Sequence, residues 1–259
     1  MINSPDLKNL ELLSSKLLLK AGEKILKSWH DIKSISYKDL RDFSTNIDSE
    51  IEDFLRKNLK NIFPDAGFLV EEGTSIRKEL YNWVIDPIDQ TKNYGYHLPM
   101  FFTQIALLEN NIPILGHIYQ PVSGQLFSAS RGNGASLNND KLLFKQKRPV
   151  SEAIIDIDYG AGHNQFSKKN IEILSKLFDI FYRVRISGGA FPIYLTTDAL
   201  DSYLVLNNET KIVDQAPRII ILKEAGFKTE YVHLNNRQIL ISASEEIFDI
   251  IRNIILNYS

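Results

Sequence analysis

The stretch Trp83-Val84-Ile85-Asp86-Pro87-Ile88-Asp89-Gln90-Thr91-Lys92-Asn93-Tyr94 places two carboxylates, a proline and a hydroxyl between an apolar strand pattern and a loop. Asp86 ends the apolar run, and Pro87 cannot continue a central strand. Asp89 lies where a carboxylate can cap a following helix. Two carboxylates three residues apart, together with the Ile88 carbonyl, suit a hard cation that takes oxygen ligands. A strand that ends in an Asp-Pro turn, with both acids in water, is the other interpretation.

Composition limits the classes of protein to consider. The chain has 259 residues, 44% of them hydrophobic, which is enough for one large or two smaller globular domains. The net charge of −2 gives no reason to expect binding to a nucleic-acid polymer or a membrane surface. The chain has no cysteine, so a metal would be held by oxygen or nitrogen. With no signal peptide and no apolar run that could span a bilayer, we expect a cytoplasmic protein with a small-molecule partner.

Apolar residues at helical spacing predict two helices in the first part of the chain. The first runs from about residue 6 to residue 29, and the second begins after Ser44 or Thr45 and runs to about Phe63. Asp48 lies in the first turn of the second helix, where an acid commonly complements the helix dipole. This acid is therefore a capping residue or a functional one.

A charged loop is expected at residues 38–42, and a short strand at Phe68–Val70 ends at the pair Glu71-Glu72. Adjacent acids at a strand end point to opposite faces, so only one of them can face a shared site. Further strand patterns, the first two joined by a hairpin turn at Asn110-Asn111, predict an antiparallel sheet with helices on its face. These strands are Phe102–Leu108, Ile112–Tyr119 and Gln125–Ala129.

The second half alternates strands and helices, which is typical of an α/β arrangement. With a boundary in the polar stretch around residues 145–151, we predict an α+β half at residues 1–147 and an α/β half at residues 148–259. Asp214 opens a predicted helix, where the ordinary role of an acid is capping. The strands predicted here are Ala153–Ile157, Tyr182–Ile186 and Ser202–Leu206, and the helices are about Gln165–Phe178, Ala190–Leu200, Gln215–Ala225 and Ser244–Leu256.

The opening stretch resembles the D-P-I-D-G-T-x-N signature of the inositol monophosphatase superfamily. Members of this superfamily are magnesium-dependent, lithium-sensitive phosphatases. The resemblance extends from about Leu7 to Gly226 and includes several other family segments. The stretches, each with the family segment it resembles, are residues 44–48 with V-T-x-x-D, residues 70–72 with G-E-E, the five residues 131–135 with the longer R-x-G-x-G-A, the six residues 185–190 with the longer R-x-x-G-S-A-A, and residues 213–226 with W-D-x-A-A-G and the start of E-A-G-G.

The resemblance implies a site for Mg²⁺, with two or three ions as the cofactor. One ion would be held by Glu71, Asp86 and the carbonyl of Ile88. A second ion would be held by Asp86, Asp89 and Asp214. Divalent ions would remove the mutual repulsion of these acids and create a surface that binds phosphate.

The resemblance also implies the catalytic and substrate-binding residues. Asp48, Thr91 and Glu71 would be catalytic, with Asp48 and Thr91 orienting a metal-activated water for in-line attack on phosphorus. The N–H groups of Gln90 and Thr91 would bind phosphate at the start of a helix. The substrate-binding residues are Gln90, Thr91, Ser187, Gly188, Gly189 and Asp214.

Several positions depart from the family pattern. Gln90 stands where the family has a glycine, which permits unusual backbone angles and keeps the space beside the phosphate clear. Val70 replaces a glycine, and Val213 replaces the tryptophan before the aspartate. Pro217 and Arg218 replace a pair of small residues. We expect Gln90 to lower activity or to alter the substrate pocket, and the changes at Val70, Gln90, Val213 and Pro217 keep open a family member without turnover.

By resemblance, the fold is the layered α/β/α/β/α sandwich of sugar phosphatases, a mixture of α+β and α/β, and the protein is a homodimer. The implied function is a magnesium-dependent phosphomonoesterase that hydrolyses a small polar phosphate ester of the inositol-, sugar- or histidinol-phosphate type. One alternative is a 3′(2′),5′-bisphosphate nucleotide phosphatase. Another is a degenerate family member that binds phosphorylated ligands without turnover.

Overall fold

The structure, a computed structural model, describes residues 2–31, 35–39, 42–143, 148–158, 168–187, 189, 194, 197, 199–206, 211–234 and 237–257. The helices are α1 Ser4–Ser28, α2 Asn46–Ile62, α3 Thr91–Gly95, α4 Lys168–Ile180, α5 Ile212–Ala225 and α6 Glu245–Asn257, with a 3₁₀ turn at Val150–Glu152. The strands are β1 Ile35–Asp39, β2 Asp42–Thr45, β3 Gly67–Val70, β4 Tyr81–Asp89, β5 Phe102–Glu109, β6 Ile112–Gln120, β7 Gln125–Ser130, β8 Gly134–Leu137, β9 Asp140–Leu142, β10 Ile154–Asp158, β11 Arg183–Arg185, β12 Ser202–Val205, β13 Lys228–Leu234 and β14 Arg237–Ala243.

Contacts between Cα atoms divide the chain into two units. The first contains Met1–Lys141 together with Lys211–Glu224, and the second contains Leu142–Thr210 together with Ala225–Ser259. The division of the sequence after residue 147 stays a prediction. The grouping adds that most of α5, including Asp214, belongs with the first unit.

The first unit is built on a sheet with the strand order β3-β4-β5-β6-β7-β8-β9. β3 and β4 are parallel, and the pairs from β4 to β8 are antiparallel. Because side chains alternate along a strand, β4 contributes Trp83 and Ile85 to the core formed with α1 and α2. Val84, on the opposite face, packs with Val213 and Ala216 of α5. The sheet of this unit therefore has helices on both faces.

Helix α5 approaches strand β6 closely at Gly116. A Cβ atom at this position would lie 2.5 Å from Ile220 Cγ2 and 2.9 Å from Pro217 Cα. Contacts under 3 Å with backbone atoms are not tolerated, so the absence of a side chain at Gly116 lets α5 lie directly on the sheet. This contact fixes the backbone of α5 one turn after Asp214.

Two local expectations were wrong. Strand β4 does not end at Asp86: it passes through Pro87 to Asp89, and its register against β5 shifts between Asp86 and Asp89. A β-bulge of this kind accommodates a proline inside a central strand, because the missing N–H falls in the irregular part of the ladder. Of the charged loop expected at residues 38–42, residues 38, 39 and 42 lie instead in β1 and β2, which pair antiparallel, and residues 40 and 41 lie outside the described residues.

The second unit has a sheet with the strand order β11-β10-β12-β14-β13. β10 is parallel to β11 and β12, whereas β14 is antiparallel to β12 and β13. Ile173 and Leu177 of α4 and Ile247 and Ile251 of α6 pack in the core with strand residues. The helix predicted at residues 190–200 falls largely outside the described residues. The mixed α+β and α/β fold class is confirmed, and no helix within the described ranges has the length and apolarity needed to cross a membrane.

Candidate functional site

Asp48 joins the start of α2 to the end of β4. Its Oδ2 accepts hydrogen bonds from the backbone N–H of Thr45 at 2.8 Å and from the Thr45 hydroxyl at 2.6 Å, which forms a capping box. Its Oδ1 lies 3.0 Å from Thr91 Oγ1, and the same hydroxyl lies 2.8 Å from the carbonyl oxygen of Ile88. The acid is therefore both a helix cap and a neighbour of two other predicted site residues.

Burial raises the pKa of Asp48 to about 6. The hydrogen bonds from Thr45 and Thr91 lower the pKa, and the nearby charge of Glu72 raises it, but desolvation is the largest cause. A carboxyl group with this pKa exchanges its proton close to neutral pH.

Asp86 is fully buried, and only one of its oxygens is paired. Register places Gln104 of β5 opposite Asp86, and Gln104 Nε2 donates to Asp86 Oδ2 at 2.7 Å. Asp86 Oδ1 is buried and has no hydrogen-bond partner among the described residues. Burial, followed by the charges of Glu71, Asp89 and Asp214, raises the pKa of Asp86 well above its usual value. A buried carboxylate oxygen without a partner, surrounded by other acids, is suited to a cation.

Glu71 lies directly after β3, in a turn that Glu52 holds in place. Glu52 is 3% exposed, and its two carboxylate oxygens accept the backbone N–H groups of Glu72 at 2.8 Å and Gly73 at 2.9 Å. A Cβ at Gly73 would lie 2.6 Å from Glu52 Oε1. A side chain at position 73 would therefore displace the Glu52 carboxylate, whereas glycine leaves room for it beside the turn. Glu71 is the first residue of this turn, so the bonds from Glu72 and Gly73 to Glu52 also help to hold Glu71.

Gln90 adopts a left-handed backbone conformation, with φ 68° and ψ 47°. This is the position at which the family signature has glycine, and the positive φ is the physical reason for that preference. Gln90 is the N-cap of α3 and makes no side-chain capping bond, so capping of this helix by Asp89 was wrong. Helix α3 has five residues, which is too short for a substantial macrodipole. The predicted binding of phosphate by the N–H groups of Gln90 and Thr91 stays a prediction.

Asp214 lies in the first turn of α5, as predicted. Its pKa is raised to about 7: burial is the largest cause, the charge of Arg218 opposes it, and the charges of Asp89 and Glu71 add to it. Arg218, one turn later, is 1% exposed and places Nη2 at 3.0 Å from Asp89 Oδ2. The carboxylates at the end of β4 and the start of α5 are thus close enough to influence one another, and a buried cation lies with them.

The structure brings the predicted ligands of the first unit into one electrostatically coupled set. The charges of Glu71, Asp89 and Asp214 all act on Asp86, and those of Asp89 and Glu71 act on Asp214. Within the described ranges, however, no three Asp, Glu, His or Cys side chains are grouped as a metal ion would require. The acids are neighbours without forming a closed cage.

Ser187 and Gly189, two predicted substrate-binding residues, belong to the second unit, and Gly188 lies outside the described residues. Ser187 is exposed, and its backbone N–H donates to Asp156 Oδ1 at 3.1 Å. Gly189 has a positive φ of 62°, which fits a tight turn after β11. Their role toward a substrate stays a prediction.

Sequence reasoning missed two residues that support the acids, Glu52 and Gln104. Glu52 follows Asp48 by four residues, so helical spacing puts both on one face of α2, and this signal was available. Gln104 is identified only by the register between β4 and β5. Arg218 was noted as a departure from the family pattern, but its partner Asp89 is 129 residues away in the chain.

Comparison with known proteins identifies the family. The model of the inositol monophosphatase family matches residues 6–253. The chain belongs to this family. Among its relatives, the Nus factor SuhB of Vibrio cholerae is 32% identical over 214 residues, which cover 80% of this chain and 79% of the relative.

Solved structures of the inositol monophosphatase family share the fold. The chain is 25% identical to an IMPase from Thermotoga maritima with a TM-score of 0.81, covering 95% of this chain and 96% of that one. A structure described as an IMPase/NADP phosphatase complexed with Mg²⁺ and phosphate is 19% identical with a TM-score of 0.79, covering 96% and 95%. That family member binds magnesium, and its likeness to this chain is one of fold.

The residues of this chain fit a magnesium ion by their chemistry. Mg²⁺ takes oxygen ligands, and Glu71, Asp86, Asp89, Asp214 and the Ile88 carbonyl supply only oxygen. The atom that a cation would satisfy best is the buried Oδ1 of Asp86, which has no hydrogen-bond partner within the described ranges.

Proposed function

We propose that the protein is a magnesium-dependent phosphomonoesterase that hydrolyses a small polar phosphate ester of the inositol-, sugar- or histidinol-phosphate type. The observation that carries the proposal is Asp86, a fully buried acid in the field of Glu71, Asp89 and Asp214, whose Oδ1 has no hydrogen-bond partner in the part of the chain that the structure describes. Such an arrangement costs free energy in an apolar core and is relieved by a divalent cation. Family membership supports the same chemistry.

In this proposal, Glu71, Asp86 and the Ile88 carbonyl would hold magnesium, and Asp89 and Asp214, whose charges act on Asp86, would contribute further carboxylate oxygens. Magnesium, when bound, lowers the pKa of a coordinated water and offsets negative charge on the phosphate.

Asp48 and Thr91 would move the proton of the attacking water. The Thr91 hydroxyl lies within hydrogen-bond distance of both Asp48 Oδ1 and the Ile88 carbonyl, so it can donate to one or the other. A pKa of about 6 allows Asp48 to take up a proton through Thr91 at neutral pH and to release it afterwards. The capping bonds from Thr45 hold Asp48 in the orientation that this transfer needs.

A second candidate function is binding of phosphorylated ligands without turnover. The left-handed Gln90 and the buried Arg218 beside Asp89 favour it, because both depart from the family pattern at the predicted reaction centre. A side chain at Gln90 can occupy space beside a phosphate that a glycine would leave clear. The two candidates predict the same ligands and differ only in product formation.

The test is phosphate release from a panel of phosphomonoesters, including inositol, sugar, histidinol and nucleotide 3′-phosphates, with magnesium and with a chelator. We expect release from at least one ester with magnesium, none with the chelator, and a loss of at least about 100-fold in Asp86→Asn. Asp53→Asn, which changes an exposed acid on α2, is the matched control and should retain full activity.

The variant Gln90→Gly separates the two candidates. If the native chain releases no phosphate from any ester while Gln90→Gly does, the catalytic proposal for the native chain is wrong and the binding role is supported. Binding without turnover would then appear as a rise in melting temperature with an ester and magnesium.

A further inference from the structure

Arg218 places a permanent positive charge among the predicted metal ligands. Its side chain is 1% exposed, and Nη2 forms an ion pair of 3.0 Å with Asp89 Oδ2. Arg218 follows Asp214 by four residues in α5, so both side chains leave the helix on the same face. The guanidinium group does not lose its proton in proteins. Two of the acids expected to hold a second ion therefore already have a cation beside them.

The backbone that carries Arg218 is held in place. The preceding residue, Pro217, lies so close to the sheet that a Cβ at Gly116 would be 2.9 Å from its Cα. Since α5 cannot shift toward the sheet at this point, the base of the Arg218 side chain is fixed relative to β6. With this backbone fixed, only the side-chain rotamers of Arg218 and Asp89 decide whether the ion pair forms. Close packing in the core restricts those rotamers.

The acids assigned to the two ions are arranged differently. By resemblance, the second ion needs Asp86, Asp89 and Asp214 together, and no such group of three forms among the described residues. Asp89 turns one oxygen to Arg218, while Asp86 binds Gln104 through Oδ2. The first ion needs only Glu71, Asp86 and a carbonyl. Asp86 Oδ1, which has no hydrogen-bond partner among the residues that the structure describes, is available for it.

We propose that the Arg218 guanidinium takes the place of one of the two divalent cations, so that the chain binds a single ion at Glu71, Asp86 and the Ile88 carbonyl. The inference rests on the proposed function, because it takes these acids as metal ligands. Guanidinium is planar and presents several N–H donors, a geometry that matches phosphate oxygens. Arg218 thereby supplies, from the protein itself, positive charge on the Asp89 side of the site.

The experiment counts bound Mn²⁺ ions on the full chain by equilibrium dialysis and records the Mn²⁺ electron paramagnetic resonance spectrum of the same samples. We expect one ion per chain for the native protein and for Arg218→Lys, which keeps the charge. We expect two ions for Arg218→Ala, with the six-line spectrum broadened because the second ion lies beside the first. Circular dichroism and thermal melting establish that each variant is folded.

Two adjacent Mn²⁺ ions in the native protein would overturn the inference, as would a single ion in a folded Arg218→Ala. If Arg218→Ala does not fold, the native count still decides, since the inference allows only one ion there. Failure of the proposed function is distinguishable: a native chain that binds no Mn²⁺ overturns both proposals. A native chain that binds two ions and releases phosphate overturns the Arg218 inference alone.

Discussion

Helices α2 and α5 each carry an acid in the first turn and a second charged residue four positions later, which is acidic in α2 and basic in α5. In α2, Asp48 in the first turn is followed four residues later by Glu52, another acid. In α5, Asp214 in the first turn is followed four residues later by Arg218. Glu52 accepts two backbone N–H groups of the turn after β3, whereas Arg218 pairs with the carboxylate of Asp89.

The difference shows two ways to satisfy buried charge. On the α2 side, backbone N–H groups bind Glu52, and burial still leaves its pKa above the usual value although these bonds and the charge of Arg56 lower it. On the α5 side, a guanidinium group cancels part of the charge before any metal binds. The two sides of the acid set should therefore respond differently to substitution, to metal and to pH.

The largest effect is expected for Arg218→Met. Removing one partner of a buried ion pair leaves Asp89 with an uncompensated charge, so the free energy of unfolding should fall by about 3–5 kcal/mol. Urea denaturation in the presence of a chelator measures this. Arg218→Lys should lose less, because it keeps the charge. Equal free energies of unfolding for the native chain and Arg218→Met would show that the ion pair on α5 does not stabilise the fold.

Glu52→Ala is the corresponding change on α2. It leaves the N–H groups of Glu72 and Gly73 without their acceptors, and we expect a loss of about 2–3 kcal/mol in the free energy of unfolding. Because the turn positions Glu71, Mn²⁺ affinity should fall as well. Asp53→Ala, an exposed acid on the same helix, is the control for both measurements. Unchanged stability and Mn²⁺ affinity in Glu52→Ala would show that Glu52 neither stabilises the turn after β3 nor positions Glu71.

His117 supplies a reference for pH measurements on both helices. It is fully buried, with Ser14 Oγ 2.9 Å from Nε2 and Ser128 Oγ 2.8 Å from Nδ1, and burial lowers its pKa from 6.5 to about 3. As pH falls below 6.5, the unfolded chain takes up a proton that the folded chain does not. The contribution of His117 to stability is complete above pH 6.5 and declines as the pH falls toward 3.

Between pH 8 and pH 5 this loss should amount to about 2 kcal/mol. Urea denaturation of the native chain and of His117→Gln across this range measures it, and the difference between the two curves isolates the histidine from the acids. A difference that does not vary with pH would contradict the buried neutral state. Above pH 6.5 the contribution of His117 to stability is constant, so comparisons of α2 with α5 made there are free of its pH dependence.

The smallest effect is expected for Gln90→Gly. A residue with a side chain at φ 68° is strained, and glycine relieves that strain while losing more backbone entropy on folding. We expect a net gain of about 0.5 kcal/mol in the free energy of unfolding. Asn111→Gly, at φ 64° in a hairpin turn, should gain less, because asparagine tolerates this conformation better. A larger gain at Asn111 would contradict the assignment of strain to Gln90.

Much of the fold followed from the sequence. Apolar residues at helical spacing predicted α1 and α2. Apolar strand patterns predicted β5, β6 and β7, with the turn between β5 and β6 at Asn110-Asn111. The path of β4 through Pro87 was not predictable from the proline alone, since it depends on a bulge against β5. Side-chain patterns report burial well, but they carry little information about irregular strand pairing.

The same contrast holds for the predicted site residues of the first unit: short motifs identified the acids but not the side chains that pair with them. Short motifs predicted two groups of neighbouring residues. One is Asp48 with Thr91 and Ile88, and the other is Asp86 with Glu71, Asp89 and Asp214. Their partners depend on contacts between distant segments, which no motif encodes: Arg218 with Asp89, and Gln104 with Asp86. The roles of all these residues stay predictions until metal binding and phosphate release are measured.

The central claim is that Asp86 is the carboxylate around which a divalent ion binds. Isothermal titration of the native chain and of Asp86→Asn with Mg²⁺ tests it most directly, because asparagine preserves the shape of the side chain and removes its charge. If Asp86 is this carboxylate, we expect saturable Mg²⁺ binding to the native chain and at least about 100-fold weaker affinity in a folded Asp86→Asn. Equal Mg²⁺ affinity in the two proteins would contradict it.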